Sequence, residues 1–255
     1  MKMRLWVVAL AALVAADSCD ESPPPRHIAI IPDGNRRWAR SRNITIARGH
    51  AAGIAALGPV ATAAWELGVE VVTFWWGSSA NLLKRDPDEV ANIIAVLISW
   101  LQGEGAALLQ EYRVELHVNG RWRELASALI PAVESAQQSL AHGRAEDGAE
   151  TRRRCVLSLL IGYDGQEEIL AAAAAAKSAG RAAFEAALWT GHLPPVDLIV
   201  RSAAVDDPHL SAGFMLWHIA NAQLSWLPEL WPAVTGEHIQ QAIGQFKRRE
   251  RRLGG

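Results

Sequence analysis

A cluster of residues able to handle phosphate lies in the stretch HIAIIPDGNRRWAR, residues 27–40. Asp33 can hold a metal ion. Gly34 lets backbone amides approach an anion, Asn35 adds an amide, and Arg36 and Arg37 can neutralise charge, with Trp38 close behind. The apolar run Ile28, Ala29, Ile30, Ile31 stops at Pro32, so this chemistry sits where a buried strand ends. By itself the same stretch also reads as a strand–turn–helix junction with an Asx turn at Asp33.

These side chains need a framework, and composition bounds its size. The chain has 255 residues, 50% of them hydrophobic, enough apolar material for one large domain or two small ones. A net charge of −2 gives no bulk electrostatic reason to bind nucleic acid or an anionic membrane, so any anion site must come from local clusters. Cys19 and Cys155 lack the spacing of a zinc site or a disulfide framework, which suits cytoplasmic chemistry. Eleven tryptophans stand against two tyrosines and four phenylalanines, and Trp can line a pocket for an apolar or cationic ligand. Lys2 and Arg4 followed by an apolar run to Ala16 have the layout of a signal peptide or a peripheral membrane anchor, too short to span a bilayer. An extra N-terminal helix or an upstream start codon is the preferred reading. Ser22 to Pro25 form a stiff linker, which leaves an N-terminal segment over 1–25 and one domain over 26–255.

Hydrophobic patterning predicts an Ala-rich helix over 49–68, a buried strand over 69–76, and a helix over 87–110 with Pro87 in its first turn and Asp86 as N-cap. A strand over 114–118, a turn at Asn119-Gly120, a helix to about residue 142 and a polar loop over 141–151 follow. Then come a strand over 155–161, a helix from 166 to about 187, a strand over 198–201, a helix through 217–222, a short strand near 224–227 and a charged helix from Glu237. Strands alternating with helices imply a parallel sheet covered on both faces, with ligands at the carboxyl ends of the strands. Asp33, Ser78, Asn81 and Arg201 each end or follow an expected strand, so this rule gathers them. A carboxylate, arginines, hydroxyls and apolar walls suit a diphosphate head on a hydrocarbon tail.

DGNRRWA at 33–39, Gly49-His50, Ser78-Ser79-Ala80-Asn81, PVDLIVR at 195–201 and RERRLGG at 249–255 occur in this order. Together they resemble the cis-prenyltransferase family, to which undecaprenyl diphosphate synthase belongs. The resemblance implies an α/β fold with a central, mostly parallel sheet of about six strands flanked by helices, a hydrophobic tunnel and a homodimer. It also implies magnesium and an allylic prenyl diphosphate, with isopentenyl or dimethylallyl diphosphate as its partner. Asp33 is implied as the metal ligand that assists diphosphate departure. Gly34, Asn35, Arg36, Arg37 and His50 are implied around the allylic diphosphate, joined by Trp38, Arg48 and Arg85. Ser78 and Asn81 are expected near the reacting carbons, Arg201, His209 and Ser211 at the second diphosphate, and Arg252 and Gly254 in a C-terminal motif that reaches across the dimer. Magnesium suits such a site because it accepts carboxylate, phosphate and water oxygens without an all-protein cage.

The chain departs from the family pattern at several places. Ile46 stands where an arginine is usual, and Arg48 is expected to reach the same position. Ala80 replaces a glutamate, and one extra residue separates Asn81 from Arg85. Gly162-Tyr163-Asp164-Gly165-Gln166 replaces Asn-Tyr-Gly-Gly-Arg, and Ser202 to Val205 with His209 replace Thr-Gly-Gly-Glu and a second arginine. Gln223 replaces a metal-linked glutamate. Most of these changes fall on the second-substrate side, where each lost charge-assisted hydrogen bond costs roughly 1.5–3 kcal/mol. Trp75, Trp76 and Trp226 are candidate pocket walls, whose rings would shorten a tunnel and stabilise a carbocation. The expected activity is a prenyltransferase giving a short-chain or irregular product. The alternatives are a terpene synthase acting on one prenyl diphosphate and a non-catalytic partner subunit.

Overall fold

Buried, nearly continuous apolar runs form the strands: β1 (His27–Ile31), β2 (Val71–Gly77), β3 (Glu115–Asn119), β4 (Val156–Ile161), β5 (Leu198–Arg201) and β6 (Gln223–Trp226). The computed structural model describes residues 22–146, 154–178 and 180–249; the signal-like residues 1–21 and the motif residues Arg252 and Gly254 lie outside them. All five strand pairings are parallel, in the order β3-β4-β2-β1-β5-β6. After β1 the chain crosses to β2 on one side, and β5 lies on the other. The order therefore reverses between β1 and β5, and the crevice at their carboxyl ends is the favoured ligand position.

The helices are α1 (Asn35–Ser41), α2 (Ile46–Ala55), α3 (Leu57–Glu66), α4 (Ser79–Lys84), α5 (Pro87–Gln102), α6 (Glu104–Glu111), α7 (Trp122–Leu125), α8 (Ile130–Glu146), α9 (Gly165–Ala175), α10 (Arg181–Ala187) and α11 (Gly236–Arg248). The strands match the sequence reading to within two residues, but several helices differ. The helix expected over 49–68 is two helices, broken at Ala56 just before Pro59, which has no N–H to continue the earlier one. The one expected over 87–110 breaks at Gly103 (φ −123°, ψ −118°), with a bend of 46°. The helix expected up to residue 142 begins as α7 and a 3₁₀ turn at Ser127–Leu129, and α8 then runs through residues 141–146, where a loop was expected. The helix expected over 166–187 divides into α9 and α10. Around residues 217–222 the chain makes turns instead of a helix. Ala212, Gly213 and Met215 just before them take left-handed φ of 48°, 57° and 47°, which a right-handed helix cannot include.

Strand alternation divides the interior into two layers. Ile28, Ile30, Val72, Phe74, Leu157, Leu159, Leu198 and Val200 join the larger core, with Leu97, Trp100 and Leu101 of α5. Ala29, Ile31, Val71, Leu160 and Ile199 face a smaller core completed by Tyr163, Phe214 and Met215. Among the described residues no single helix is long and apolar enough to cross a membrane; α5 and α6 reach that length only as a bent pair.

His27, at the head of β1, has no exposed surface; one ring nitrogen lies 2.8 Å from the Pro194 carbonyl oxygen and the other 2.8 Å from Thr73 Oγ1. Burial pushes its pKa down to about 4. The unfolded chain, at the ordinary value near 6.5, takes up a proton that the folded chain refuses. Stability from this residue is therefore complete above the unfolded value and is lost as pH falls toward 4, by about 3 kcal/mol at ~1.36 kcal/mol per unit. Urea melts across that window should show a steeper pH dependence for the native chain than for His27→Gln; parallel profiles would mean that His27 is not held neutral.

Candidate active site

The peptide of Asp33 is fixed before its side chain is used. Its N–H donates to Ser202 Oγ (2.8 Å), the Ser202 hydroxyl donates back to the Asp33 carbonyl (2.7 Å), and the Trp231 N–H donates to that same carbonyl (2.9 Å). Trp231 is itself buried, with its indole N–H on the Gly53 carbonyl (2.7 Å) and its ring edge-on to Phe74. Gly34 follows in a left-handed conformation (φ 107°) pressed against Leu230, where a Cβ would come within 2.9 Å of Leu230 Cδ2. Only glycine meets both demands without strain.

Register does the rest. Ile31 pairs with Arg201 across β1 and β5, so the residues that end these strands meet. The Arg201 side chain, only 5% exposed, donates from Nη2 to Asp33 Oδ2 (2.9 Å) and from Nη1 to Ser211 Oγ (2.9 Å) and the His209 carbonyl (2.8 Å). Its Nε–H is buried and has no partner among the described residues. Asp33 Oδ1 lies 3.3 Å from Arg37 Nη2, and the carboxylate remains about one-third exposed.

A second charge cluster lies on α1, α2 and α5. Glu89 Oε1 accepts from Arg36 Nε (2.9 Å) and from His50 Nε2 (3.0 Å), and its Oε2 accepts from Arg36 Nη2. Burial pushes the His50 imidazole below its ordinary value, opposed by Glu89. Burial acts to raise the Glu89 carboxyl, but the bonds from Arg36 and His50 outweigh it and hold it low. Arg85 differs from these. Burial and the neighbouring Arg36 lower its pKa, the Glu89 and Asp33 carboxylates oppose that shift without outweighing it, and among the described residues Arg85 makes no hydrogen bond or ion pair. A desolvated, unpaired guanidinium is a strong place for an anion.

These groups open onto a cavity of about 390 Å³ lined by Asp33, Gly34, Asn35, Arg36, Arg37 and Arg40, and by His50, Asn81, Arg85, Arg201 and Ser211. Its apolar part is formed by Trp75, Trp76, Trp231, Ile54, Leu57 and Ile93. One end is thus cationic and the other aromatic and aliphatic.

Several expected residues stand elsewhere. Ser78 caps α4 in a reciprocal pair with Asn81: Ser78 Oγ accepts the Asn81 N–H and Asn81 Oδ1 accepts the Ser78 N–H. That leaves the Asn81 Nδ2 as the amide donor the cap does not use. Trp38 lies under the Arg42 guanidinium, 4.2 Å from its ring centre, and does not line the cavity. Arg48 is exposed on α2, and Arg40 of α1 lines the cavity instead. The His209 ring turns to Asp207 in an exposed loop, so only its carbonyl serves the site. Trp226 ends β6 outside the cavity wall. Gln223 starts β6, at the opposite end of the strand from the crevice, and its Oε1 accepts from Arg249. Glu89 and Arg40 went unassigned in the sequence, although Glu89 sits in the first turn of a capped helix just after Arg85.

A parallel α/β sheet whose reversal point carries a cationic cavity with an apolar recess defines a protein that handles an anionic head on a hydrocarbon tail. A family profile described as undecaprenyl diphosphate synthase matches residues 31–254. An isoprenyl transferase of Zymomonas mobilis is 31% identical over 91% of this chain and 92% of its own length. The bifunctional protein CrtB/UppS of Streptomyces coelicolor is 32% identical over 91% of this chain, which spans 41% of that longer protein. The crystal structure of lavandulyl diphosphate synthase from Lavandula x intermedia, in complex with dimethylallyl diphosphate, superposes with a TM-score of 0.80 at 26% identity, covering 91% of this chain and 99% of that one. The chain belongs to the undecaprenyl diphosphate synthase family of prenyltransferases and is a prenyl-transferring enzyme.

Ser202→Ala removes both hydroxyl bonds to the Asp33 peptide while leaving the sheet intact. A loss of about 1.5 kcal/mol in positioning corresponds to roughly tenfold lower prenyl transfer. Steady-state rates measured beside a thermal melt would check this, and an unchanged rate would mean that Ser202 does not hold the loop.

Proposed function

We propose that this enzyme ionises an allylic prenyl diphosphate and joins it to a second small isoprenoid diphosphate, giving a short-chain or irregular product. The observation that carries this reading is the small apolar recess. The whole cavity, head-group region included, is about 390 Å³, near the low end of the ~300–1,000 Å³ usual for ligand sites, with Trp75, Trp76 and Trp231 among its walls. The likeness to a lavandulyl diphosphate synthase seen with dimethylallyl diphosphate supports small substrates.

In this reading Arg37, Arg40 and Arg85 receive the allylic diphosphate. Asn81 also lines the cavity, and its Nδ2, not used in the α4 cap, is the donor available to the reacting end. The aromatic walls exclude water from the carbon that loses its leaving group and offer it electron-rich faces. Magnesium fits Asp33 as a single protein carboxylate: the side chain is partly exposed, and among the described residues its Oδ1 is held only by the 3.3 Å contact to Arg37. Gln223 does not fit, because it lies at the far end of β6 against Arg249. When bound, the ion would neutralise the departing diphosphate. Homodimerisation belongs to this reading, and sedimentation of the purified chain at monomer mass would count against it.

A second reading, ionisation and cyclisation of one prenyl diphosphate, is favoured by a separate observation. Among the described residues of the loop after β5, Arg201 is the one cation lining the cavity, and it is already engaged with Asp33 and Ser211, while the His209 ring faces away. Incubation with magnesium and dimethylallyl, geranyl or farnesyl diphosphate, each with and without isopentenyl diphosphate, separates the two. Two-substrate products identified by mass support transfer; a hydrocarbon or alcohol from one substrate alone supports cyclisation. Asp33→Ala should abolish product with the fold retained. Trp76→Ala should shift the product toward longer chains, and an unchanged length would remove the recess as its limit.

A further inference from the structure

Glu89 does not line the cavity, yet it binds two residues that do, Arg36 and His50. Its carboxylate thereby ties the first turn of α5 to α1 and α2. The same turn is rigid on its other side. Asp86 caps α5 by accepting the N–H groups of Asp88 and Glu89 (2.9 and 3.2 Å), and Pro87 fixes the backbone between them. Arg85 directly precedes this cap in an extended conformation (φ −75°, ψ 162°). Arg36 repels the Arg85 guanidinium, and the carboxylates that draw it in are Glu89 and Asp33.

We propose that Glu89 is a positioning residue for prenyl transfer: by clasping Arg36 and His50 it fixes the start of α5 and holds Arg85 over the cavity as the guanidinium left open to a diphosphate. Arg36, whose Nε and Nη2 are both spent on Glu89, is then part of the clasp more than of the grip. Glu89 also offsets the repulsion between Arg36 and Arg85, which would otherwise turn Arg85 toward water. The inference rests on reading the cavity as a diphosphate site.

A double-mutant cycle on the full chain tests it, with calorimetric binding of inorganic diphosphate in the presence of magnesium and the KM for dimethylallyl diphosphate as readouts. Glu89→Gln should weaken binding and raise KM about tenfold, a change of ~1.4 kcal/mol, with kcat altered much less. Arg85→Ala should do the same, and the double variant should be no weaker than Arg85→Ala alone. Losses that multiply would overturn the proposal, because Glu89 would then act independently of Arg85. Glu89→Asp keeps the charge but withdraws it by one methylene, and its smaller loss should likewise vanish in the Arg85→Ala background. That variant carries the test if thermal melts show Glu89→Gln to be unstable. Failure of the native chain to bind diphosphate would overturn the cavity reading and this inference together, whereas native binding with multiplying losses overturns only the role of Glu89.

Discussion

The site depends on a buried guanidinium. Arg201 is the last residue of a fully buried strand, and a cation withdrawn from water costs several kcal/mol unless its donors are met. Asp33 meets one, and the β5 loop folds back so that the His209 carbonyl and Ser211 hydroxyl meet others. That return path places Ala203 and Ala212 in left-handed conformations, each costing roughly 1 kcal/mol for a residue with a Cβ. Compensating one charge thus shapes the loop, orients the Asp33 carboxylate and sets one wall of the cavity.

Charge in the cavity is divided unequally. Asp33 is shared by Arg37 and Arg201, and Glu89 by Arg36 and His50, which leaves Arg40 and Arg85 without a carboxylate partner among the described residues. The surplus is positive and lies next to apolar walls of low dielectric, where attraction for an anion is stronger than in water. A chain with a net charge of −2 can therefore carry a cationic cavity, because the excess is local.

The strands were legible because parallel strands buried on both faces need unbroken apolar runs, and those runs are bounded by Pro, Gly and Asn. Helix breaks were less so: Gly103 sits inside an amphipathic pattern that continues on both sides, and only its dihedral angles show the bend. The turns around residues 211–222 have helix-like composition, and it is the left-handed Ala212 and Met215 that prevent a helix. Arg40 and Arg48 could equally have entered the cavity on sequence grounds. Which one does depends on how α1 and α2 pack, a relation between elements that neither residue's neighbours in the chain encode.

The sequence by itself determined the strand ends at Ile31 and Arg201, and that of β2 to within one residue, and with them a grouping of Asp33, Ser78, Asn81 and Arg201, all but Ser78 of which line the cavity, since sheet topology brings adjacent strand ends together. It determined the family as well, through short motifs kept in order. Tertiary structure alone decided which charges are spent and which are free. Glu89 meets Arg36 and His50 across three helices, the His209 ring turns outward while its carbonyl turns in, and Gln223 falls at the wrong end of an edge strand. Pairings of this kind are set by distances between elements far apart in the chain. Residue type says what a side chain can bind, and packing says what it has bound already.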